Sequence, residues 1–131
     1  MTNSSKNKWN NTLLKYKVKC VEIISLSKSI RYVGIINYHG RTLTGKIRYG
    51  VKPLFSPDQV RNEFFAIATS VKLREKSLSV IGNSNYTILN HKKATILLFY
   101  NKKIIYYITF GPNKIPNKLL IQKIKNITTA A

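Results

Sequence analysis

Acidic residues are almost missing from this chain. Its 131 residues include four, Glu22, Asp58, Glu63 and Glu75, against 23 Lys and Arg, a formal net charge of +19. Four carboxylates on separate stretches supply neither a general acid and base working together nor the oxygen set that Mg²⁺ or Ca²⁺ requires. Cysteine is scarcer still. Cys20 stands alone, which excludes an internal disulfide and a thiolate metal cluster; its neighbours Val18, Val21 and Ile24 describe a buried, inert thiol. The two histidines, His39 and His91, fall in turn-like stretches, without the spacing of a zinc site. Gly34, Gly40, Gly45 and Gly50 are scattered over one hairpin and lack the Gly-x-x-x-x-Gly-Lys-Ser/Thr spacing of a phosphate loop. Long apolar runs are absent too: the most apolar region, 94–110, is cut by Asn101-Lys102-Lys103, and the opening MTNSSKNKWNN has no apolar core of a secretory signal. These absences point away from an enzyme, a cofactor, a metal and membrane insertion, and toward a cytoplasmic protein.

What is there centres on Ile30–Tyr49. Tyr32-Val33-Gly34-Ile35-Ile36 is an apolar, β-branched run that suits a strand covered on both faces. Asn37-Tyr38-His39-Gly40 reads as a turn, with Gly40 free to take a positive φ. Beyond it Leu43, Gly45, Ile47 and Tyr49 alternate with Thr42, Thr44, Lys46 and Arg48, the pattern of a strand with one buried and one wet, basic face. Residues 1–10 read as a flexible polar tail and 11–128 as one domain. A first helix is expected over Asn11–Lys28, N-capped by Asn11 or Thr12, with Leu14, Val18 and Val21 beside Leu13, Tyr16, Cys20 and Ile24 as a wide apolar stripe. A second opens on the capping box Ser56-Pro57-Asp58-Gln59 and carries Val60, Phe64, Ile67 and Val71 on its core face up to Lys76. Strands follow at Tyr86–Leu89, Ala94–Tyr100 and Lys103–Phe110, the last two joined by a tight Asn101-Lys102 turn. A final helix over Pro116–Thr128 turns Leu120, Ile124 and Ile127 inward. The order α-β-β-α-β-β-β-α defines an α+β fold: a five-stranded antiparallel sheet with helices on both faces. Val33, Ile35, Phe64, Ile67, Ile96, Leu98, Ile105 and Ile124 are its expected core.

The charge admits two readings. Eighteen lysines against five arginines fit AT-rich coding, whereas the shortage of acids fits attraction to a polyanion or an acidic protein face. A nucleic-acid site would use Lys46 and Arg48 on the wet hairpin face, with Tyr38 and Tyr49 for stacking. Yet Lys15, Lys17 and Lys19, the stretch from Lys72 to Lys76, Lys92-Lys93 and Lys102-Lys103 spread the charge over every element, as in a solvated coat that binds polyanions without specificity.

In this order of elements the chain resembles the Roadblock/longin group of profilin-like domains. The hairpin Ile30-Arg31-Tyr32-Val33-Gly34-Ile35-Ile36-Asn37 with its Gly40 turn is similar to the first hairpin of that group. The chain also resembles an uncharacterised family of short archaeal proteins that share this strand, the Pro53-Leu54-Phe55-Ser56 entry to the second helix and the late Asn101-Lys102-Lys103 hairpin. The resemblance spans about Val18 to Ile127. It implies a non-catalytic, dimerising platform for a protein partner such as a small GTPase or signalling protein. Its dimer contact would lie on the second helix, at Val60, and on the strand Tyr86, Thr87, Ile88 and Leu89.

Overall fold

The computed structural model describes residues 3–130. Four helices and five strands alternate as α1 (Asn3–Ser25), β1 (Ile30–Asn37), β2 (Thr42–Ile47), α2 (Pro57–Leu73), a short α3 (Leu78–Ile81), β3 (Thr87–Asn90), β4 (Thr95–Asn101), β5 (Ile104–Phe110) and α4 (Lys118–Thr129). The strands form one antiparallel sheet in the order β2-β1-β5-β4-β3. The last strand is therefore its centre, and β2 and β3 are its edges.

Each face of the sheet carries its own apolar layer. On one, α1 (Cys20, Ile23, Ile24) and α4 (Ile121, Ile124) cover Ile30, Val33, Ile35, Leu97, Phe99, Tyr106, Ile108 and Phe110. On the other, α2 (Phe64, Ile67, Ala68) covers Ile36, Ile96, Ile105 and Tyr107. Both faces of β1 and β5 are thus covered over most of their length, which is why these strands read as apolar runs. Of the expected core, seven residues are buried; Leu98 is half-buried and packs against the α2 layer.

Local chemistry accounts for the ends. Ser56 accepts from Gln59 N and Gln59 Oε1 accepts from Ser56 N, at 3.3 and 2.8 Å, the reciprocal capping box. Asn117 Oδ1 caps α4 by accepting from Leu120 N at 2.8 Å. Gly40 takes φ +85° and passes so close to α2 that a Cβ there would lie 2.9 Å from the Phe64 carbonyl oxygen.

Several boundaries differ from the sequence reading. α1 begins upstream of Asn11, and the Thr12 hydroxyl donates to Lys8 O four residues back, a helix-interior bond instead of a cap. Leu14, Val18 and Val21 face solvent, at 57, 56 and 50 % exposure; only the Cys20–Ile24 side of the expected stripe meets the sheet. α2 stops at Leu73, and the chain continues through a 3₁₀ turn at Glu75–Ser77 into α3. The β4–β5 turn is Lys102-Lys103, both at positive φ. In β2 the register slips at Leu43. That bulge returns Leu43 to the α1 side, while Gly45 and Ile47 face the other way and Tyr49 is fully exposed.

Candidate interaction surface

The β3 edge is the best-defined open surface of the fold. Thr87, Ile88, Leu89 and Asn90 pair with Leu98, Leu97, Ile96 and Thr95 of β4, and among the described residues no strand pairs with the other side of β3. Ile88 packs into the α1–α4 layer and Leu89 into the α2 layer, so the strand is anchored on both faces with its free edge outward. Thr87 and Tyr86 are exposed.

Val60 lies elsewhere. It is half-buried against the α2-side layer, because it sits one turn before Phe64 on the core stripe. The outward apolar residues of this region are instead Phe65 (66 % exposed) on α2, Leu73 at its end, and Val80 (85 %) and Ile81 on α3. Reading one continuous helix to Lys76 hid the α3 pair. The apolar run Leu78-x-Val80-Ile81 before Gly82 was the available signal.

The basic and aromatic candidates do not converge. Lys46 is exposed on β2. Arg48 is not on a wet face: its guanidinium donates to the backbone carbonyls of Ile30 (2.7 Å), Ile24 (2.5 Å) and Ser27 (2.7 Å). The Ile24 carbonyl lies in the last turn of α1, a helix with no basic residue of its own there, and Ser27 follows just beyond it, so Arg48 supplies the cation that a helix C-terminus favours. Tyr38 sits at the hairpin tip. Its hydroxyl donates to the Glu75 carboxylate, and that bond above all holds its pKa up to about 12. The ammonium groups of Lys72 and Lys103 lie 4.7 and 5.4 Å from its ring centroid. Tyr49 stands at the far end of β2, roughly 20 Å away at strand rise. No stacking row links the two tyrosines.

Three of the four acids already have partners: Asp58 pairs with Arg61, Glu63 accepts from the Tyr107 hydroxyl at 2.5 Å, and Glu75 accepts from Tyr38. Burial, and then the bond to Glu63, push the Tyr107 hydroxyl far above its ordinary pKa. Among the described residues no group of three or more His, Cys, Asp or Glu is placed to hold a metal, and no helix is long and apolar enough to cross a membrane.

No family model matches the chain, and no curated protein matches it. Solved structures do. The gliding protein MglB from Thermus thermophilus superposes with a TM-score of 0.68 at 12% identity, over 86% of this chain and 84% of that one. A Roadblock/LC7 domain from Streptomyces avermitilis gives 0.64 at 6% identity, over 83% and 88%. MglB of Myxococcus xanthus gives 0.65 at 12% identity, over 89% and 86%. The fold is Roadblock/longin-like.

Proposed function

We propose that this chain is a non-catalytic interaction module that pairs with a second copy of itself through the free edge of β3 and presents the paired body to a protein partner. The observation that carries this reading is the unpaired β3 edge, entered from a segment whose Val80, Ile81 and Tyr86 are exposed. Main-chain groups of an open edge strand favour pairing with another strand, and adjacent apolar side chains favour their own removal from water. Antiparallel pairing of β3 with its copy is a twofold, self-closing contact. A structure of the same fold, 13% identical to this chain with a TM-score of 0.61, is described as MglB with a tetrameric arrangement, which supports assembly as a property of the architecture. A small GTPase or signalling protein is the partner class that the Roadblock resemblance implies. The engaged acids support a non-enzymatic role.

Sedimentation equilibrium at micromolar concentration tests the pairing. The wild-type chain sediments as a dimer, and the double substitution Val80→Glu with Ile81→Glu, at exposed positions that leave the monomer folded, shifts it to monomer. A wild-type chain that stays monomeric through high micromolar concentration overturns the proposal.

A further inference from the structure

At the opposite edge of the sheet, away from β3, the α2 face does not close. A groove of about 350 Å³ remains between β2, β1 and β5 below and the loop 51–55 with the start of α2 above. The floor is opened by Gly34 and Gly45, which pair directly across β1 and β2. With no side chains there, the Tyr32 ring lies down over both glycines; a Cβ on either would meet its hydroxyl at 2.6 or 2.5 Å. A standing tyrosine would have filled the space. The walls are apolar, with Ile47, Leu54, Phe55, Val60 and Phe64 foremost.

One end of the groove is polar and positive. A β-bulge between Ile30 and Tyr32 turns Arg31 out of the strand alternation and onto the Tyr32 side, the kind of re-aiming that bulges produce. There Arg31 Nη2 donates to Lys52 O at 3.1 Å, while its Nε–H is buried without a hydrogen-bond partner. Across the β1–β5 ladder from this bulge stands Thr109, paired with Tyr32. It is 2 % exposed and its hydroxyl also has no partner. Both residues line the groove. Two buried polar groups left unpaired in the lining of one groove are costly unless something pairs with them. The lining contains Arg31 and Lys52 and no acid.

We infer that this groove is a binding site for a single medium-chain carboxylate. Its head accepts hydrogen bonds from Arg31 Nε and the Thr109 hydroxyl, and its alkyl chain lies against Ile47, Leu54, Phe55 and Val60. The volume falls at the small end of the roughly 300–1,000 Å³ of small-molecule sites, which suits one unbranched chain. The site is separate from the β3 edge and stands or falls apart from the proposed pairing.

Titration calorimetry of the full-length chain with decanoate, below its micelle concentration, tests the assignment. Decanoate binds at one per chain, and decanol and decyltrimethylammonium bind at least about tenfold more weakly, the loss expected for one charge-assisted hydrogen bond. Arg31→Gln weakens decanoate by about the same factor. Ile47→Trp, on the exposed edge strand, fills the groove and abolishes binding while thermal unfolding remains cooperative. Thr109→Val separates a ligand contact from a packing imperfection: it stabilises the free protein and weakens decanoate. Lys46→Gln, on the other face of β2, leaves the affinity unchanged. Equal affinity for decanoate and decanol, unaltered binding in Ile47→Trp, or equal losses in Arg31→Gln and Lys46→Gln would each overturn the inference.

Discussion

Two residues that look ordinary in the sequence, Arg48 and Cys20, carry structural weight. Arg48 sits in an alternating basic pattern and reads as solvated, yet it ties the end of β2 to the last turn of α1, to Ser27 just beyond it and to Ile30. Nothing local in the sequence announces a bond between residues 24 and 48. Arg48→Ala leaves three partly buried acceptors short of their donor and is expected to destabilise by about 2–3 kcal/mol in urea unfolding, against about 0.5 or less for Lys46→Gln. An Arg48→Lys variant recovers only part of the loss, since one ammonium does not reproduce the guanidinium fork. Cys20 is legible, by contrast: its apolar neighbours already describe a buried thiol, and it is 1 % exposed. Burial raises its pKa from 9.0 to about 11. The folded state thus holds the proton more tightly than the unfolded chain. The associated stability is whole below pH 9 and is lost as pH rises toward 11. Between pH 8.5 and 10.5 the wild-type melting temperature should accordingly fall further than that of Cys20→Ala, measured side by side. Parallel curves would remove the thiol from the account.

Elements were legible wherever a short-range pattern set them. The capping box fixed the start of α2, and the i, i+4, i+7 row fixed its buried face. Alternation failed in β2, because the slip at Leu43 reverses parity partway along the strand and one residue of shift exchanges the faces. The wide stripe of α1 failed for a different reason. A helix on a sheet buries a sector of its circumference, and the Leu14–Val18–Val21 row lies beyond that sector. The candidate surface divides likewise: the β3 edge followed from a short strand entered from a turn, whereas the α3 residues depended on where α2 would stop. At the β4–β5 hairpin the expected tight turn is present, one residue along, with Lys102 at φ 51° and Lys103 at φ 66°. Such paired positive φ values belong to the turn type that prefers Asn-Gly. Replacing Lys102-Lys103 by Asn-Gly relieves strain of roughly 1–2 kcal/mol and forfeits the weaker Lys103–Tyr38 ring contact. The double variant should therefore be more stable by about 1 kcal/mol in chemical denaturation, and a loss of stability would show that the ring contact dominates.

For the whole molecule, the net charge of +19 is a field more than a site. The four residues that a nucleic-acid interface would use are dispersed, with Arg48 turned inward and Tyr38 and Tyr49 at opposite ends of the hairpin. Binding of DNA or RNA at physiological salt is expected to be weak, with Kd about 10⁻⁵ M or poorer and no sequence preference. Neutralising Lys15 and Lys19 on α1 should reduce it as much as neutralising Lys46 together with Arg41 on the hairpin; a sub-micromolar affinity lost only with the hairpin pair would establish a footprint. The sheet order has a different consequence, one of timing. Because β5 lies between β1 and β4, the middle of the sheet is the last strand to leave the ribosome. Until residues 104–110 emerge, β1 has one partner, and its Val33 and Ile35 await the neighbour that buries them. Contacts this distant in sequence close slowly, and the incomplete chain carries two apolar half-sheets that no local rearrangement can join. A nascent chain halted at Asn101 is consequently a substrate for chaperones; one extended past Phe110 can complete its sheet, and the α1-side core closes only when Ile121 and Ile124 of α4 follow.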